Sequence, residues 1–435
     1  MTFKTFTNTK NKSMKTNKTL TKILLFAVFA FLKANNSTAQ DMPGADNSDI
    51  SKQVASLKSG DGHFMMVGLV TFGFINQSTT NSFGGVKVFS DKSNSLGDAD
   101  RFEFSPMFLW RHGDRLLAEF EPSWDGNQIG VNWADISYYV APGLIVRGGY
   151  IVLPFGTYTK RLAAGWINKL PSDPIGTDMA GSDFGVEVQG GFPLGNMKWS
   201  YDVALSNGFQ LNSSPFVTDP AILPGTLSGV GINAINNGKT VTGRLALLPL
   251  SNSSLEIGVS GLYGNVATQQ DTFFTTANPT ATKGPMVNMY AVDFNFVRIV
   301  NPVQINIKAQ YSAEMISGAY YIDPTTNIPY TFTNNTSTYF GQLSVRPSKS
   351  KSKILRNCEV AFRYVNYTSP KQSTWGMNYN EVDLSLDYWL SWRTVLKIGY
   401  ENIKSDGTTS QFKSSGLDGS STGINRLIIQ FATEL

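Results

Sequence analysis

The stretch Leu427-Ile-Ile-Gln-Phe-Ala-Thr-Glu-Leu435 decides how the rest of the chain reads. Successive side chains on a strand point to opposite faces. Leu427, Ile429, Phe431, Thr433 and Leu435 therefore share one face, and Arg426, Gln430 and Glu434 the other. A last strand that is apolar outward and polar inward is expected to close a transmembrane β-barrel.

The same alternation recurs upstream. Val382, Leu384, Leu386, Tyr388 and Leu390 oppose Glu381, Asp383, Ser385 and Asp387. Val303, Ile305, Ile307, Ala309 and Tyr311 oppose Gln304, Asn306, Lys308 and Gln310. About sixteen such segments run from Phe64 to the last residue, most of them near the length that crosses a bilayer at a tilt. The fold class is thus all-β: an antiparallel transmembrane barrel over 63–435, with short periplasmic turns and long outer loops.

Turn lengths set the orientation. One side carries only short turns, such as His112-Gly113, Pro142-Gly143, Leu194-Gly195-Asn196 and Asn301-Pro302. The other carries long connections at 77–98, 152–182, 208–237, 267–284, 315–335 and 405–423. That asymmetry is the bacterial outer-membrane pattern. Tyr150, Tyr263, Tyr290, Tyr311, Tyr339 and Tyr400 fall on the apolar face at outer strand ends, while Trp110, Tyr138, Trp199 and Tyr388 fall near periplasmic ends. Amphipathic rings belong at the two headgroup levels.

Residues 1–39 read as a secretory signal, with a Lys-rich start, an apolar Ile23–Leu32 run and a small-residue Ser37-Thr38-Ala39 site. A short polar segment, 40–62, follows. Without the signal, 29 basic residues face 32 acidic ones, so the basic balance of the whole chain belongs to the signal. Nucleic acid is therefore not an expected partner. Cys358 is the single cysteine, which excludes an intramolecular disulfide.

A wall of about sixteen strands encloses more volume than side chains fill. The third outer connection, 152–182, is rich in apolar residues and proline and is expected to fold inward and narrow the lumen. Its Lys160, Arg161, Lys169 and Asp173 are candidate constriction residues, joined by Arg111, Arg147, Glu119, Glu121, Asp383 and Asp387 on inward strand faces. Lys160, Arg161 and Lys169 suggest a weak anion preference, because charge at the narrowest point sets selectivity. Most inward charges are expected to pair across adjacent strands.

At this connection a resemblance appears. Pro142-Gly-Leu-Ile-Val-Arg-Gly-Gly-Tyr-Ile-Val-Leu-Pro-Phe-Gly156 resembles the strand-then-"PFG" segment of the phosphate-selective porin O and P family. The resemblance implies a homotrimeric, water-filled outer-membrane channel with an inward third loop. Phosphate selectivity does not follow, since the inward set here is mixed rather than a ladder of Arg.

An enzyme is not expected. A hydrolytic nucleophile needs a nearby base, and His63 and His112 both lie at the periplasmic side. No cofactor is implied. The expected function is passive diffusion of small hydrophilic solutes or ions across the outer membrane of a Gram-negative cell, with membrane lipid as the surrounding partner. Two alternatives stand beside it. One is a channel specific for a sugar or organic acid, using Phe155, Tyr158 and Trp166 as stacking surface. The other is a non-conducting barrel that displays loops for adhesion.

Overall fold

The computed structural model describes residues 62–83, 86–96, 102–162, 164–177, 179–212, 225–229, 238–266, 285–317, 321–322, 329–370, 372–373, 375–407 and 420–435. The expected signal segment and the polar stretch up to residue 61 lie outside the described residues, as does the side chain of Arg161.

The chain begins with β1 (His63–Phe83), β2 (Val86–Leu96), β3 (Glu103–His112) and β4 (Leu116–Trp124). β5 (Ile129–Ala141), β6 (Leu144–Val152), β7 (Ser182–Leu194) and β8 (Met197–Ser206) follow. Two short strands, β9 (Phe209–Leu211) and β10 (Leu227–Gly229), pair with each other. The wall resumes with β11 (Thr240–Leu248), β12 (Leu255–Asn265), β13 (Met286–Val300) and β14 (Val303–Ser317). β15 (Tyr321–Ile322) and β16 (Pro329–Tyr330) make a small hairpin. β17 (Asn334–Arg346), a helical turn α1 (Lys353–Asn357), β18 (Cys358–Thr368), β19 (Met377–Trp389), β20 (Thr394–Gly407) and β21 (Ser420–Glu434) complete the chain.

Among the described residues, seventeen strands form one antiparallel sheet. β2 and β3 pair with β1 one after the other, so together they fill one place and the wall is sixteen strands wide. β21 pairs with β1, which closes the barrel. The segment 208–237, which left the strand count open, contributes only the β9–β10 pair and no wall strand. The first outer connection differs from expectation. Residues 77–83 and 86–96 continue the wall as paired strands, because Gln77 to Phe83 and Val86 to Ser93 keep the ladder going. The periplasmic connection between β17 and β18 holds the helical turn α1, Lys353–Asn357, directly before β18.

Burial inverts across the wall relative to a water-soluble protein. On β19, Leu384 and Leu386 are exposed while Glu381, Asp383 and Asp387 are buried. A wide apolar exterior of this kind needs a covering phase, and an apolar band flanked by Tyr and Trp fits lipid. Tyr290 and Tyr311 lie ring to ring at 5.9 Å on that face, as do Tyr339 and Tyr364 at 6.1 Å.

The inward face is held by charge. Arg244 on β11 donates to Glu256 on β12 at 2.8 Å and to Asp293 on β13 at 2.6 and 3.1 Å. Gly258 lies beneath this triad, and a Cβ there would meet Arg244 and Asp293 at 2.4 Å. A side chain at that place would displace Arg244 and Asp293 from their present pairing.

Leu384 sits midway along β19 on the exposed face. Leu384→Arg is expected to lower unfolding stability in phospholipid vesicles by about 2–4 kcal/mol, the cost of a cation near the bilayer midplane. Urea titration in vesicles checks this, and an unchanged midpoint would mean that this face does not meet lipid.

Candidate functional site

Residues 153–162, 164–177 and 179–181 follow β6 and run along the inner face of the wall. The path is set at once by Gly156, whose φ of 64° suits glycine. A Cβ there would lie 2.7 Å from the Gln310 amide. Gly156 N donates to Ser260 Oγ at 3.0 Å, and Thr157 N donates to Gln310 Oε1 at 2.8 Å. Both acceptors are inward-facing residues of the wall, on β12 and β14.

Beyond a single π turn (Tyr158–Leu162), the segment is knotted by its own side chains. Tyr158 donates its phenol proton to Asp173, and Asn168 Nδ2 donates to Tyr158 Oη, Asp173 Oδ1 and Ser172 O, each at 3.0 Å. Burial, reinforced by the Asp173 carboxylate, pushes the Tyr158 phenol well above its ordinary range, so it stays a donor.

An irregular segment enclosed by protein must have its carbonyls paired. Here the wall pairs them. Lys308 reaches Ile167 O at 2.7 Å. Lys397 reaches Asn168 O at 2.8 Å and Leu170 O at 3.0 Å. Gln430 reaches Pro171 O at 3.2 Å, and Thr338 reaches Ile175 O at 2.9 Å. Arg363 donates to Ser172 O at 2.8 Å and Ser172 Oγ at 2.9 Å, while also holding Glu381 and Asp383. Apolar contacts add to these. Tyr158 packs on inward-facing Phe340 and Val365, and Trp166 packs on Trp389, Val395 and Ala432.

The candidate site residues separate into groups. Arg147, Glu119 and Lys160 come together: Arg147 pairs with Glu119 and Asp135 at 3.3 Å and with Glu187 at 3.6 Å. Lys160 pairs with Glu187 at 2.6 Å and Asp202 at 3.5 Å. Glu121 stands beside them and accepts from Asn132 at 2.8 Å. Lys169 is elsewhere, 3.8 Å from Glu359 and 4.3 Å over the Trp389 ring. Arg111 sits at the periplasmic rim with Asp114 at 3.7 Å. Asp383 and Asp387 are buried under the inward segment instead of facing open lumen, because residues 168–173 cover that stretch of wall. Asp173 remains exposed.

Glu381, Asp383 and Glu401 place carboxylate oxygens within 4.8 Å of one another. Arg363 binds the first two, and Arg426 binds Glu401 at 3.0 Å, so the group reads as an ion-pair network. Lys308, Lys397 and Gln430 are the residues whose role the sequence did not reveal. Lys308 carried one signal, since its cross-strand neighbours Asn295 and Gln342 are neutral and leave its charge to be met elsewhere.

No protein-family model matches this chain, and no curated protein sequence is significantly similar to it. Its fold is similar to the outer-membrane channel DcaP of Acinetobacter baumannii (TM-score 0.52, 14% identity, 86% of this chain and 98% of that one). An anion-selective porin from Comamonas acidovorans aligns with TM-score 0.46 and 14% identity over 84% of this chain and 99% of that one. The likeness to DcaP shows the fold of an outer-membrane channel barrel.

Lys397→Met removes two of the bonds that seat residues 168–170. Trypsin is expected to cut after Lys169 several-fold faster in this variant than in the folded wild type, read by mass spectrometry of the fragments. Equal rates would show that Lys397 does not hold the segment.

Proposed function

We propose that this chain is an outer-membrane porin that lets small hydrophilic solutes or ions diffuse passively through a water-filled barrel. One observation carries the reading. The inward segment does not fill the lumen: a cavity of about 600 Å³ lies between residues 165–175 and the inner faces of β1, β3 and β19–β21. Polar side chains such as Thr71, Glu103, Asp173, Glu401 and Arg426 line it.

In this reading residues 152–182 form the constriction, and Arg147, Lys160, Glu119 and Glu121 lie along its edge. The resemblance of residues 142–156 to the phosphate-selective porin O and P family supports the inward third loop and brings a homotrimer into the proposal. Anion preference from the loop cations finds no support, since Lys160 and Lys169 are both paired with carboxylates. Neither does a stacking channel for sugars. Phe155 and Tyr158 are 3% and 4% exposed and leave no ring face for a solute, and Trp166, the one partly exposed ring of the three, packs on Trp389, Val395 and Ala432.

Purified protein in a planar bilayer is expected to give stable single-channel steps. Replacing residues 158–176 by a short Gly-Ser linker is expected to raise the step size, because the obstruction is removed while the wall stays closed. A folded wild-type barrel without steps would sink the porin reading in favour of a display barrel. Unchanged step size in the linker variant would place the constriction outside this segment.

A further inference from the structure

Building on the porin reading, we infer that the open passage selects for small cations, and that Glu103 and Glu121 are the residues that set this preference. Counting inward charges does not show it. The deciding quantity is which charges remain unpaired and in reach of water.

The inner cations are largely committed. Lys160 is held by Glu187 and Asp202, and Lys169 by Glu359 and the Trp389 ring. Lys308 and Lys397 are buried and spend their protons on carbonyls of the inward segment. Arg426, which lines the cavity, is held by Glu401 at 3.0 Å and Gln77 at 2.7 Å. Arg147 faces three carboxylates at once. An ion passing Arg147, Lys160, Lys169 or Arg426 meets neutral or net negative assemblies, while Lys397, which also lines the cavity, has its ammonium turned onto the carbonyls of Asn168 and Leu170.

The carboxylates of β3 and β4 are different. Glu103 accepts from Ser105 Oγ at 2.5 Å and, more distantly, from Ser123 Oγ and Asn132 Nδ2 at 3.4 Å. Glu121 accepts from the same Asn132 at 2.8 Å. All these donors are neutral, and among the described residues no Lys or Arg pairs with either carboxylate. Both are partly open to solvent, and Glu103 lines the 600 Å³ cavity. Asp173 lies across that cavity, exposed, held by Tyr158 and Asn168, again neutral donors.

Three independent facts therefore coincide: a polar cavity beside the inward segment, the unpaired carboxylates of Glu103 and Asp173 on its wall with Glu121 joined to Glu103 through Asn132, and cations withdrawn into ion pairs or the inward segment. Charge rings at a narrow point decide which ions pass, and low-dielectric walls focus the field of unpaired charges into the lumen. The passage attracts K⁺ and other small cations and repels Cl⁻. Trp133 faces Glu121 across the β4–β5 ladder, which adds a ring beside the carboxylate on the same inner face.

The test is the reversal potential in a planar bilayer under a KCl gradient, for wild type and for the Glu103→Gln/Glu121→Gln double variant. Glutamine keeps the acceptor oxygen that Asn132 needs, and heat-modifiable mobility on gels confirms folding. The wild type is expected to reverse on the K⁺ side. If the two carboxylates hold the local potential about one kT lower, the double variant loses about sevenfold in the K⁺/Cl⁻ permeability ratio. Steps with zero or Cl⁻-side reversal would overturn this inference and leave the porin reading intact. A K⁺-side wild type with an unchanged double variant would overturn the assignment to Glu103 and Glu121. Absence of any steps would remove the porin reading and this inference with it.

Discussion

Inside a bilayer no water is offered to an unpaired backbone amide, so the ladder between β21 and β1 is the contact on which the structure depends. The two strands pair continuously from Leu69 opposite Glu434 to Phe83 opposite Ser420. Without it both would present a bare edge to lipid. Closure forces the rest of the pattern. Lipid-facing positions must be apolar or aromatic, and charges at membrane depth must face the enclosed space. A closed wall sixteen strands wide encloses more than its side chains fill, and residues 153–181 take up part of the remainder.

Placing an irregular segment inside the barrel creates a second polar problem, because its carbonyls leave water too. The wall solves it with long donors. Lys308, Arg363, Lys397 and Gln430 all end on carbonyls between Ile167 and Ser172. The inner wall is correspondingly apolar where the segment's rings lie, at Phe340, Val365, Val395 and Ala432. Such donors are then lost to passing solutes. A tally of inward residues overstates the positive charge that an ion meets, and the structure corrects it residue by residue.

Much of this was legible in the residues. Period-two alternation on β14, β19 and β21 yielded the faces, and turn lengths yielded the strand direction. The Pro-Phe-Gly run marked where β6 ends, and Gly156 is where the backbone turns in. Less legible were departures from the pattern. Ile428 and Ala432 are apolar on an otherwise polar inner face, and both are fully buried. Alternation alone reads them as weak noise, whereas Ala432 is the wall's side of a packing contact with Trp166, distant in sequence. The ends of strands were also hidden, since β1 and β2 continue past the membrane with Ser, Thr and Asn in place of apolar residues. Polarity there reports water on both faces, not loss of the ladder.

The two sides of the lumen consequently answer to different constraints. Under the inward segment, Arg363 holds Glu381 and Asp383 while all three are nearly dry. Removing one member of a buried pair strands the others at a cost of about 3–5 kcal/mol, so charge there is bound to the fold. Along β3 and β4, Glu103 and Glu121 rest on neutral donors and partial hydration. Exchanging their charge disturbs no ion pair and leaves the seat of residues 153–181 untouched. The selectivity we propose therefore resides on the side of the wall that can change it at little structural cost, while the covered side holds the inward segment in place.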